Sequence, residues 1–386
     1  MTRRELLKLG ASAAVAFGAP PILTNCGGCG GKESITNPAK INASVAAVRG
    51  DDLSTITHSA LEALGGIEKV VNKGHVVFIK PNFVSFPWAR TNNCFAIGEC
   101  TKPEIIIAVT EECLKAGAAE VIIGDGSHLP TFDWQYATTF DGSTNLVLEA
   151  ERLRSKYRGN VTLACLETDS PAWDEVPSRT YLGKIAISSL VARADRVISI
   201  PVAKTHSWAQ LTLSLKNFIG ITPLDRYAAW VNNSYWDRGK VLDHSSPKAI
   251  AQIYLDIVDA VRPDLAIIDF SIGLEGDGPT LGSGSRTVNM KHKLGSWLVL
   301  ASTDLMAADA TAARIMSHNV ADMKQLTMGY EMGLGEIREE AIELLGEKLD
   351  DLRVDWLPAK LKNRLGLQSD DAPVCPFAYQ MAHHVG

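Results

Sequence analysis

Short apolar runs rich in β-branched residues alternate with longer segments of helical spacing along most of the chain. Many of the short runs are almost continuously apolar, as strands covered on both faces must be. The predicted strands are residues 45–48, 76–79, 120–123, 161–165, 196–200, 265–269 and 297–301. The predicted helices are residues 53–71, 103–116, 145–156, 188–194, 246–261 and 305–316. This alternation predicts an α/β fold with a mostly parallel, doubly wound sheet and helices on both faces.

Polar residues follow several of these predicted strands. The carboxyl ends carry Lys80 and Asn82, then Asp125, then Lys204 and His206, then Asp269 and Glu275. In doubly wound folds, ligands bind outside the carboxyl ends of the strands. The sequence therefore predicts a ligand site that these side chains share at one edge of the sheet.

The segment from Lys204 to Gly220 is the richest in polar side chains. A helix beginning near Ser207 would place Thr212, Lys216 and Gly220 on one face, with Asn217 beside them. Together with Lys204, this face would suit an anion such as a carboxylate or phosphate. The alternative is a solvated polar face.

The candidate roles follow from the side-chain chemistry. We expect Lys80, Lys204 and Lys216 to neutralise an anion, and Asn82 and Asn217 to orient it. His206 is the candidate general acid or base, and Asp125 or Asp269 is a metal ligand or second base. The candidate catalytic set is His206, Lys204 and Asp125. Thr101 is a further candidate ligand-binding residue, and Arg226 either clamps the same anion or is a surface charge.

A divalent metal is a weaker expectation. Asp125, Asp269 and Glu275 provide carboxylates that suit Mg²⁺ or Ca²⁺. None of them belongs to a pattern with fixed ligand spacing, so turns and helix caps are the competing interpretation.

The N-terminus has the layout of a twin-arginine export signal. Arg3 and Arg4 precede two leucines and Lys8, and a short apolar run covers 11–19. That run is too short to remain as a membrane-spanning helix. We therefore expect the twin-arginine translocation machinery as a partner and a periplasmic or other extracytoplasmic location.

The end of the signal has two interpretations. The segment Leu23–Cys26, followed by a glycine-rich stretch, resembles a lipoprotein cleavage box in which Cys26 is lipidated. Ordinary cleavage after Ala19 is the alternative, and Pro20 disfavours it. Loss of residues 1–25 would change the net charge from −6 to −8. So acidic a protein is not expected to bind nucleic acid, and a lipid anchor would be its expected contact with a membrane.

Composition and length fit a globular protein with one large α/β domain. Hydrophobic residues make up 46% and charged residues 21% of the 386 residues. The predicted organisation is a signal over 1–25, a flexible tether over 26–42, the α/β domain over 43–320 and a C-terminal helical extension and tail over 321–386. The acidic segment 333–356 is predicted to be helical.

Several motifs along the chain resemble a known family in order and spacing. They are Ile79-Lys80-Pro81-Asn82, Thr101-Lys102-Pro103-Glu104, Gly124-Asp125-Gly126, Lys204-Thr205-His206, Leu215-Lys216-Asn217-Phe218-Ile219-Gly220, Glu275-Gly276-Asp277-Gly278-Pro279 and Ser302-Thr303-Asp304. The family is domain of unknown function 362, and the resemblance covers about residues 45–320. It implies a bacterial or archaeal α/β domain with no agreed activity, sometimes exported and sometimes joined to a ferredoxin-like module with two iron–sulfur clusters.

The cysteines depart from the members that carry such a module. No run of cysteines has the ferredoxin spacing, so an iron–sulfur cluster is not expected. In an oxidising compartment, Cys94 and Cys100 are predicted to form a small disulfide, and a four-cysteine metal site with Cys26 and Cys29 is the alternative.

The sequence thus leaves three functions open. The first is an exported, metal-assisted enzyme or redox accessory that binds an anionic small molecule at the carboxyl edge of the sheet. The second is a non-catalytic solute-binding or chaperone-like lipoprotein that uses the same pocket. The third is an iron–sulfur electron-transfer component.

Overall fold

The strands and helices alternate as the hydrophobic pattern predicts. The structure is a computed structural model and describes residues 40–169 and 172–360. The strands are β1 (Ala43–Gly50), β2 (Val76–Pro81), β3 (Glu120–Asp125), β4 (Asn160–Cys165), β5 (Trp173–Pro177), β6 (Lys184–Ser188), β7 (Arg196–Ile200), β8 (Val202–His206), β9 (Gln210–Thr212), β10 (Ala229–Val231), β11 (Tyr235–Asp237), β12 (Leu265–Gly276), β13 (Ser285–Asn289), β14 (Trp297–Ser302) and β15 (Ile342–Gly346).

Helices connect these strands. The α-helices are α1 (Leu53–Ala63), α2 (Pro103–Lys115), α3 (Leu146–Lys156), α4 (Ser189–Arg193), α5 (Leu224–Tyr227), α6 (Pro247–Val261), α7 (Met290–Leu294), α8 (Leu305–Ile315), α9 (Lys324–Glu331) and α10 (Leu349–Leu352). The 3-10 helices are Ile67–Lys69, Phe86–Trp88, Trp134–Tyr136, Lys216–Ile221, Arg238–Lys240, Val320–Asp322 and Glu339–Ala341. None of the helices in the described part of the chain is long and apolar enough to cross a membrane.

One large, mostly parallel sheet organises the molecule, as predicted. Its order is β15-β1-β14-β12-β7-β2-β3-β4. β12, β7, β2, β3 and β4 pair in parallel, whereas β14 runs antiparallel to both of its neighbours, β1 and β12. Consequently, the carboxyl ends of β2, β3 and β7 lie side by side at one edge of the sheet.

Both faces of the sheet are covered. Val77 and Ile79 of β2 belong to the hydrophobic cluster that contains the apolar sides of α1, α2 and α3. Phe78, between them, belongs to the opposite cluster with α6 and α8. Alternate side chains of a strand point to opposite faces, so a strand between two helical layers is apolar at nearly every position.

The structure corrects three predicted elements. Helix α1 ends at Ala63, because Gly65 and Gly66 follow with φ of 91° and break the predicted helix 53–71. The helix predicted from Ser207 is wrong: strand β9 and a 3-10 helix occupy this segment. The acidic segment 333–356 contains β15, which pairs in parallel with β1 and extends the main sheet.

Some predictions concern residues outside the described ranges. They are the export signal with Arg3 and Arg4, the lipidation at Cys26, the tether and the C-terminal tail beyond residue 360. These expectations stay predictions.

Candidate functional site

Lys80 and Asp125 form a buried ion pair at the carboxyl edge of the sheet. Lys80 lies near the end of β2 and Asp125 is the last residue of the adjacent β3. Lys80 Nζ lies 2.5 Å from Asp125 Oδ1, and both side chains are almost fully buried. Burial lowers the pKa of Lys80 and raises that of Asp125, against the attraction between the two charges. Asp125 is therefore committed to Lys80 and is not a free base.

Asn217 holds Lys80 from the other side. Its side-chain oxygen accepts a hydrogen bond from Lys80 Nζ at 3.2 Å. Its amide nitrogen donates to the Lys80 carbonyl oxygen at 2.7 Å and to Ser199 Oγ at 3.1 Å. The side-chain oxygen and nitrogen of Asn217 are thus both hydrogen-bonded within the protein. Asn217 therefore positions Lys80 and β7, and its amide has little capacity left for a ligand.

The hairpin of β8 and β9 presents a second group of polar side chains. Lys204 lies directly opposite Thr212 in this antiparallel pair, and His206 lies two residues further along β8. Side chains two residues apart on a strand share a face, as do directly opposite residues. Lys204, His206 and Thr212 all line one cavity. The structure places Lys80, Asp125, Lys204 and His206 around this one cavity.

The ammonium group of Lys204 is held by neutral oxygen atoms. Nζ donates to the Glu99 carbonyl oxygen at 2.6 Å and to Asn82 Oδ1 at 3.3 Å. Burial lowers the pKa of Lys204 to about 8. An ammonium group has three hydrogens, so these two bonds leave one donor for a ligand. The amide nitrogen of Asn82 is likewise not used by another described residue.

Lys216 differs from the other two lysines because its amine has no hydrogen-bond or ion-pair partner in the part of the chain that the structure describes. It begins the 3-10 helix Lys216–Ile221 and lines the same cavity. Within the described ranges, no residue accepts a hydrogen bond from Lys216 Nζ or forms an ion pair with it. Burial, together with the nearby charge of Lys204, lowers the pKa of Lys216 to about 7. The amine is thus poised between its charged and neutral forms near neutral pH.

Asp309 of α8 fixes the segment that precedes Lys216. Its Oδ1 accepts from the backbone N–H of Ser214 at 2.9 Å, and its Oδ2 from that of Leu215 at 3.1 Å. Burial raises the pKa of Asp309 to about 7, against the effect of these hydrogen bonds. Asp309 is a positioning residue behind Lys216, and it does not line the cavity.

The hydrogen bonds of His206 identify its tautomer. Nδ1 accepts from the backbone N–H of Trp208 at 3.1 Å and of Ala209 at 3.4 Å. Nδ1 is therefore unprotonated, and in the neutral ring Nε2 carries the hydrogen. Burial lowers the pKa of His206 well below its usual range. Consequently, His206 offers a neutral Nε2–H donor to the cavity across the physiological pH range.

The cavity enclosed by these side chains measures about 110 Å³. This volume holds several water molecules. Thr212 Oγ1 is buried there without a hydrogen-bond partner among the described residues, and Thr212 itself is only 3% exposed. Buried polar atoms in proteins normally have a partner. Thr212 Oγ1, Lys216 Nζ and His206 Nε2 are thus three groups around one cavity whose hydrogen-bonding capacity no residue of 40–169 or 172–360 uses.

Arg238, and not the predicted Arg226, is the arginine of the site. Arg226 is half-exposed and lies 3.7 Å from Glu175 on the surface. Arg238 lines the cavity, donates to the carbonyl oxygens of Ser127 and Thr222 at 2.8 Å, and pairs with Glu167 at 3.2 Å. Arg226 was predicted because it lies close to Gly220 in the sequence. Arg238 instead reaches the cavity because it directly follows the β10–β11 hairpin.

Thr101 has a structural role. Its hydroxyl donates to the Ile200 carbonyl oxygen at 2.6 Å and accepts from the Asn82 backbone N–H at 3.0 Å. Thr101 is fully buried and does not line the cavity. The structure therefore does not bring Thr101 to the cavity with the other predicted ligand-binding residues, but Thr101 holds the backbone of Asn82, which does line it.

The three predicted metal ligands do not come together. Asp125 is paired with Lys80, Asp269 lies 3.3 Å from Lys102 in the core, and Glu275 accepts from Arg286 and Lys293. In residues 40–169 and 172–360, no group of three or more His, Cys, Asp or Glu side chains could hold a metal ion. Each carboxylate is already neutralised by a lysine or arginine, which is why the predicted metal set is wrong.

Cys94 and Cys100 are close together, as expected, but they are free thiols. Both are fully buried, and their sulfur atoms form a hydrogen bond with each other. Burial raises the pKa of the Cys94 thiol. It also acts to raise that of Cys100, but the hydrogen bond from Cys94 and the charge of Lys204 outweigh it and lower the pKa. The disulfide prediction is thus corrected to a thiol pair beside the site.

Comparisons with known proteins agree with the family resemblance. A thylakoid-associated protein of Synechocystis sp. is 25% identical over 281 residues, covering 72% of this chain and 75% of the relative. Two solved structures share 12% and 14% identity. One is the lactate racemase apoprotein of Thermoanaerobacterium thermosaccharolyticum, with a TM-score of 0.32, and the other a Thermotoga maritima protein, with a TM-score of 0.34.

The matches to these solved structures are partial. They cover 60% and 62% of this chain, and the chain spans 51% and 55% of the length of the two structures. The family match is specific: it extends over residues 77–314 and includes Lys80, Asp125, Lys204 and Lys216. The chain belongs to the family described as domain of unknown function (DUF362).

Proposed function

We propose that the cavity binds a small anionic molecule. The observation that carries this proposal is the unpartnered amine of Lys216 in a cavity that Lys204 also lines. Lys216 is half-buried, so its ammonium group loses part of its hydration without gaining a partner among the described residues, and a bound anion would offset that loss. The unused donors at Thr212 and His206 would hydrogen-bond the same anion.

The charge balance around the cavity supports an anion. Lys80 is neutralised by Asp125, and Arg238 by Glu167. Lys204 instead contacts neutral oxygen atoms. The remaining lining carboxylate, Asp237, accepts from the backbone N–H of Gly239 at 2.8 Å. When both Lys204 and Lys216 are protonated, positive charge is in excess around the cavity. Burial is the main cause of the lowered pKa of each lysine, and the charge of Lys204 lowers that of Lys216 further.

The size of the cavity limits the ligand. A volume of about 110 Å³ suits a small organic acid or inorganic phosphate. Donors arrive from three directions: Lys216 from the 3-10 helix, Lys204 and His206 from β8, and Asn82 from the segment after β2. This arrangement fits the carboxylate or phosphate group of a compact ligand.

Isothermal titration calorimetry tests this proposal. Pyruvate and inorganic phosphate are titrated at pH 6.5 into the wild-type protein and into Lys216→Met and Lys184→Met variants. Lys184 is a matched control because its side chain is 71% exposed and does not line the cavity. We expect at least about tenfold weaker binding in Lys216→Met, corresponding to about 1.4 kcal/mol, and no change in Lys184→Met. Equal affinity of all three proteins, or no binding of either anion, would contradict the proposal.

A further inference from the structure

We infer that Lys216 forms a reversible imine with a 2-oxo acid held in this cavity. The inference rests on the proposed anion site and specifies its ligand as one that carries a carbonyl carbon next to the carboxylate. It follows from the position of an unpaired amine, Lys216 Nζ, among donors suited to a carboxylate.

The first requirement for an imine is a neutral amine with a free lone pair. Lys216 Nζ makes no hydrogen bond or ion pair with the described residues, so the protein does not occupy it. Its pKa of about 7 leaves about half of the amine neutral at pH 7. An exposed lysine is neutral in fewer than about one molecule in a thousand at that pH. Burial beside a second cation is a known way to activate a lysine nucleophile.

The second requirement is a group that holds the carboxylate without quenching the amine. An aspartate or glutamate beside Lys216 would raise the pKa of the amine, and none is paired with it. The neutral donors His206 Nε2–H and Thr212 Oγ1–H belong to residues that line the cavity, and neither has an acceptor among the described residues. Because these donors are neutral, they can hydrogen-bond the ligand carboxylate without placing a charge of the protein's own beside Lys216.

The third requirement is a group that transfers protons at the carbonyl oxygen. Lys204 lies opposite Thr212 in the β8–β9 pair, and its charge acts directly on Lys216. Its pKa of about 8 makes it both an available acid and an available base near neutral pH. His206 does not serve here, because its only proton is on Nε2 and Nδ1 accepts from the backbone.

The bonds and protons balance without an oxidant or reductant. The Lys216 Nζ lone pair forms a bond to the carbonyl carbon, and the carbonyl π pair moves to oxygen, which takes a proton from the Lys204 ammonium. The neutral Lys204 amine then takes a proton from the new nitrogen, which gives a carbinolamine. Proton transfer from Lys204 to the hydroxyl releases water and forms the C=N bond, and loss of the second nitrogen proton to Lys204 restores its charge.

Reductive trapping tests the inference. The full-length protein is incubated with pyruvate and sodium cyanoborohydride, and the products are analysed by intact mass and peptide mapping. We expect one reduced pyruvate adduct per chain on Lys216, formed faster as the pH rises through 7, and slowed by inorganic phosphate as a competitor. Lys184→Met should give the same adduct.

The variant Lys216→Arg separates this inference from the proposed anion site. Arginine keeps a positive charge but forms no such imine, so it should bind phosphate without forming the adduct. If the wild-type protein binds pyruvate and phosphate but gives no adduct, the imine is wrong and the anion site stands. Equal labelling of Lys216→Arg and wild type would also overturn the imine, since surface lysines would then carry the adduct. Failure of both binding and labelling would overturn both proposals.

Should Lys216→Arg prove unfolded by circular dichroism, Lys216→Met provides the second labelling control. Peptide mapping of the wild-type protein then decides the question by itself: an adduct on the peptide that contains Lys216 supports the inference, and adducts confined to other lysines contradict it.

Discussion

Lys80 Nζ contacts Asp125 Oδ1 at 2.5 Å, and this contact joins the carboxyl ends of β2 and β3 inside the protein. The pair is a structural part of the site. Asp125 also accepts from the backbone N–H groups of Phe83 and Gly126 at 2.8 Å each. The Asp125 carboxylate therefore holds the loop after β2 and the loop after β3 in place. These loops form part of the cavity wall, so the carboxylate helps to set the shape of the cavity.

Replacing Asp125 by alanine should strongly destabilise the protein. The substitution leaves the Lys80 charge buried without its partner, and removal of one member of a buried pair costs about 3–5 kcal/mol. Urea unfolding at pH 7 measures this loss. Asp350→Ala is the matched control, since Asp350 is 93% exposed and pairs with Arg353 at 3.4 Å, and such pairs contribute at most about 1 kcal/mol. Equal effects of the two substitutions would refute the structural role of the pair.

A methyl group at Gly220 should disturb the same ion pair. A Cβ atom there would lie 2.3 Å from Asp125 Oδ1 and 3.0 Å from Lys80 Nζ. Overpacking of this kind typically costs about 1–3 kcal/mol. Thermal unfolding of Gly220→Ala should show a lower midpoint than wild type, whereas Gly282→Ala, with nothing within 4 Å of its Cβ position, should not. An unchanged midpoint in Gly220→Ala would mean that the pair has room to move.

The stability of the protein should depend on pH through Lys216. The pKa of this group is about 7 in the folded protein, below its ordinary value of 10.5. Between these values the unfolded chain binds a proton that the folded chain has released, so the Lys216 contribution to the free energy of unfolding rises with pH from 7 to about 10. Below pH 7 both states are protonated, and the cost of the buried charge is complete.

Lys216→Met isolates this contribution. At pH 6 the variant should be more stable than wild type by several kcal/mol, because one pKa unit corresponds to about 1.4 kcal/mol. The advantage should shrink steadily as the pH is raised towards 10. Urea titrations at four pH values measure the difference, and an advantage that is independent of pH would show that methionine packing, and not the charge, causes it.

The sheet could be predicted from the sequence because its strands are buried on both faces. Val77, Phe78 and Ile79 illustrate this: each is apolar, and successive residues belong to opposite hydrophobic clusters. The strand ends could be predicted because the apolar run stops there and a polar residue appears, as at Asp125, the last residue of β3. The location of the site thus follows from local patterns and a rule about parallel sheets.

The segment after His206 shows where local patterns fail. Thr212 and Lys216 have helical spacing, but Leu211, Leu213 and Leu215 are all fully buried and alternate with polar residues. That period of two was the signal for a strand. Strand β9 forms because it pairs with β8, and Gln210, which begins it, adopts φ of 65° at the tight turn. The predicted helix and the observed β9 with its 3-10 helix both bring Thr212 and Lys216 together. The predicted pairing of these two residues therefore did not depend on the correct secondary structure.

Arg226 lies close to Gly220 in the sequence, whereas Arg238 lines the cavity in the structure. The two arginines should therefore differ in their contribution to stability. Arg238→Met should destabilise the protein by about 3–5 kcal/mol, because it leaves Glu167 without its buried partner. It also removes donors to the carbonyl oxygens of Ser127 and Thr222. Arg226→Met should change the free energy of unfolding by less than about 1 kcal/mol. Arg226 is 47% exposed, and its ion pair with Glu175, at 3.7 Å, is a surface pair that contributes little. Urea unfolding of both variants, with phosphate titrations of whichever remain folded, measures the contrast. A larger loss in Arg226→Met would mean that the residue next to Gly220 in sequence, and not the one delivered by the β10–β11 hairpin, supports the cavity.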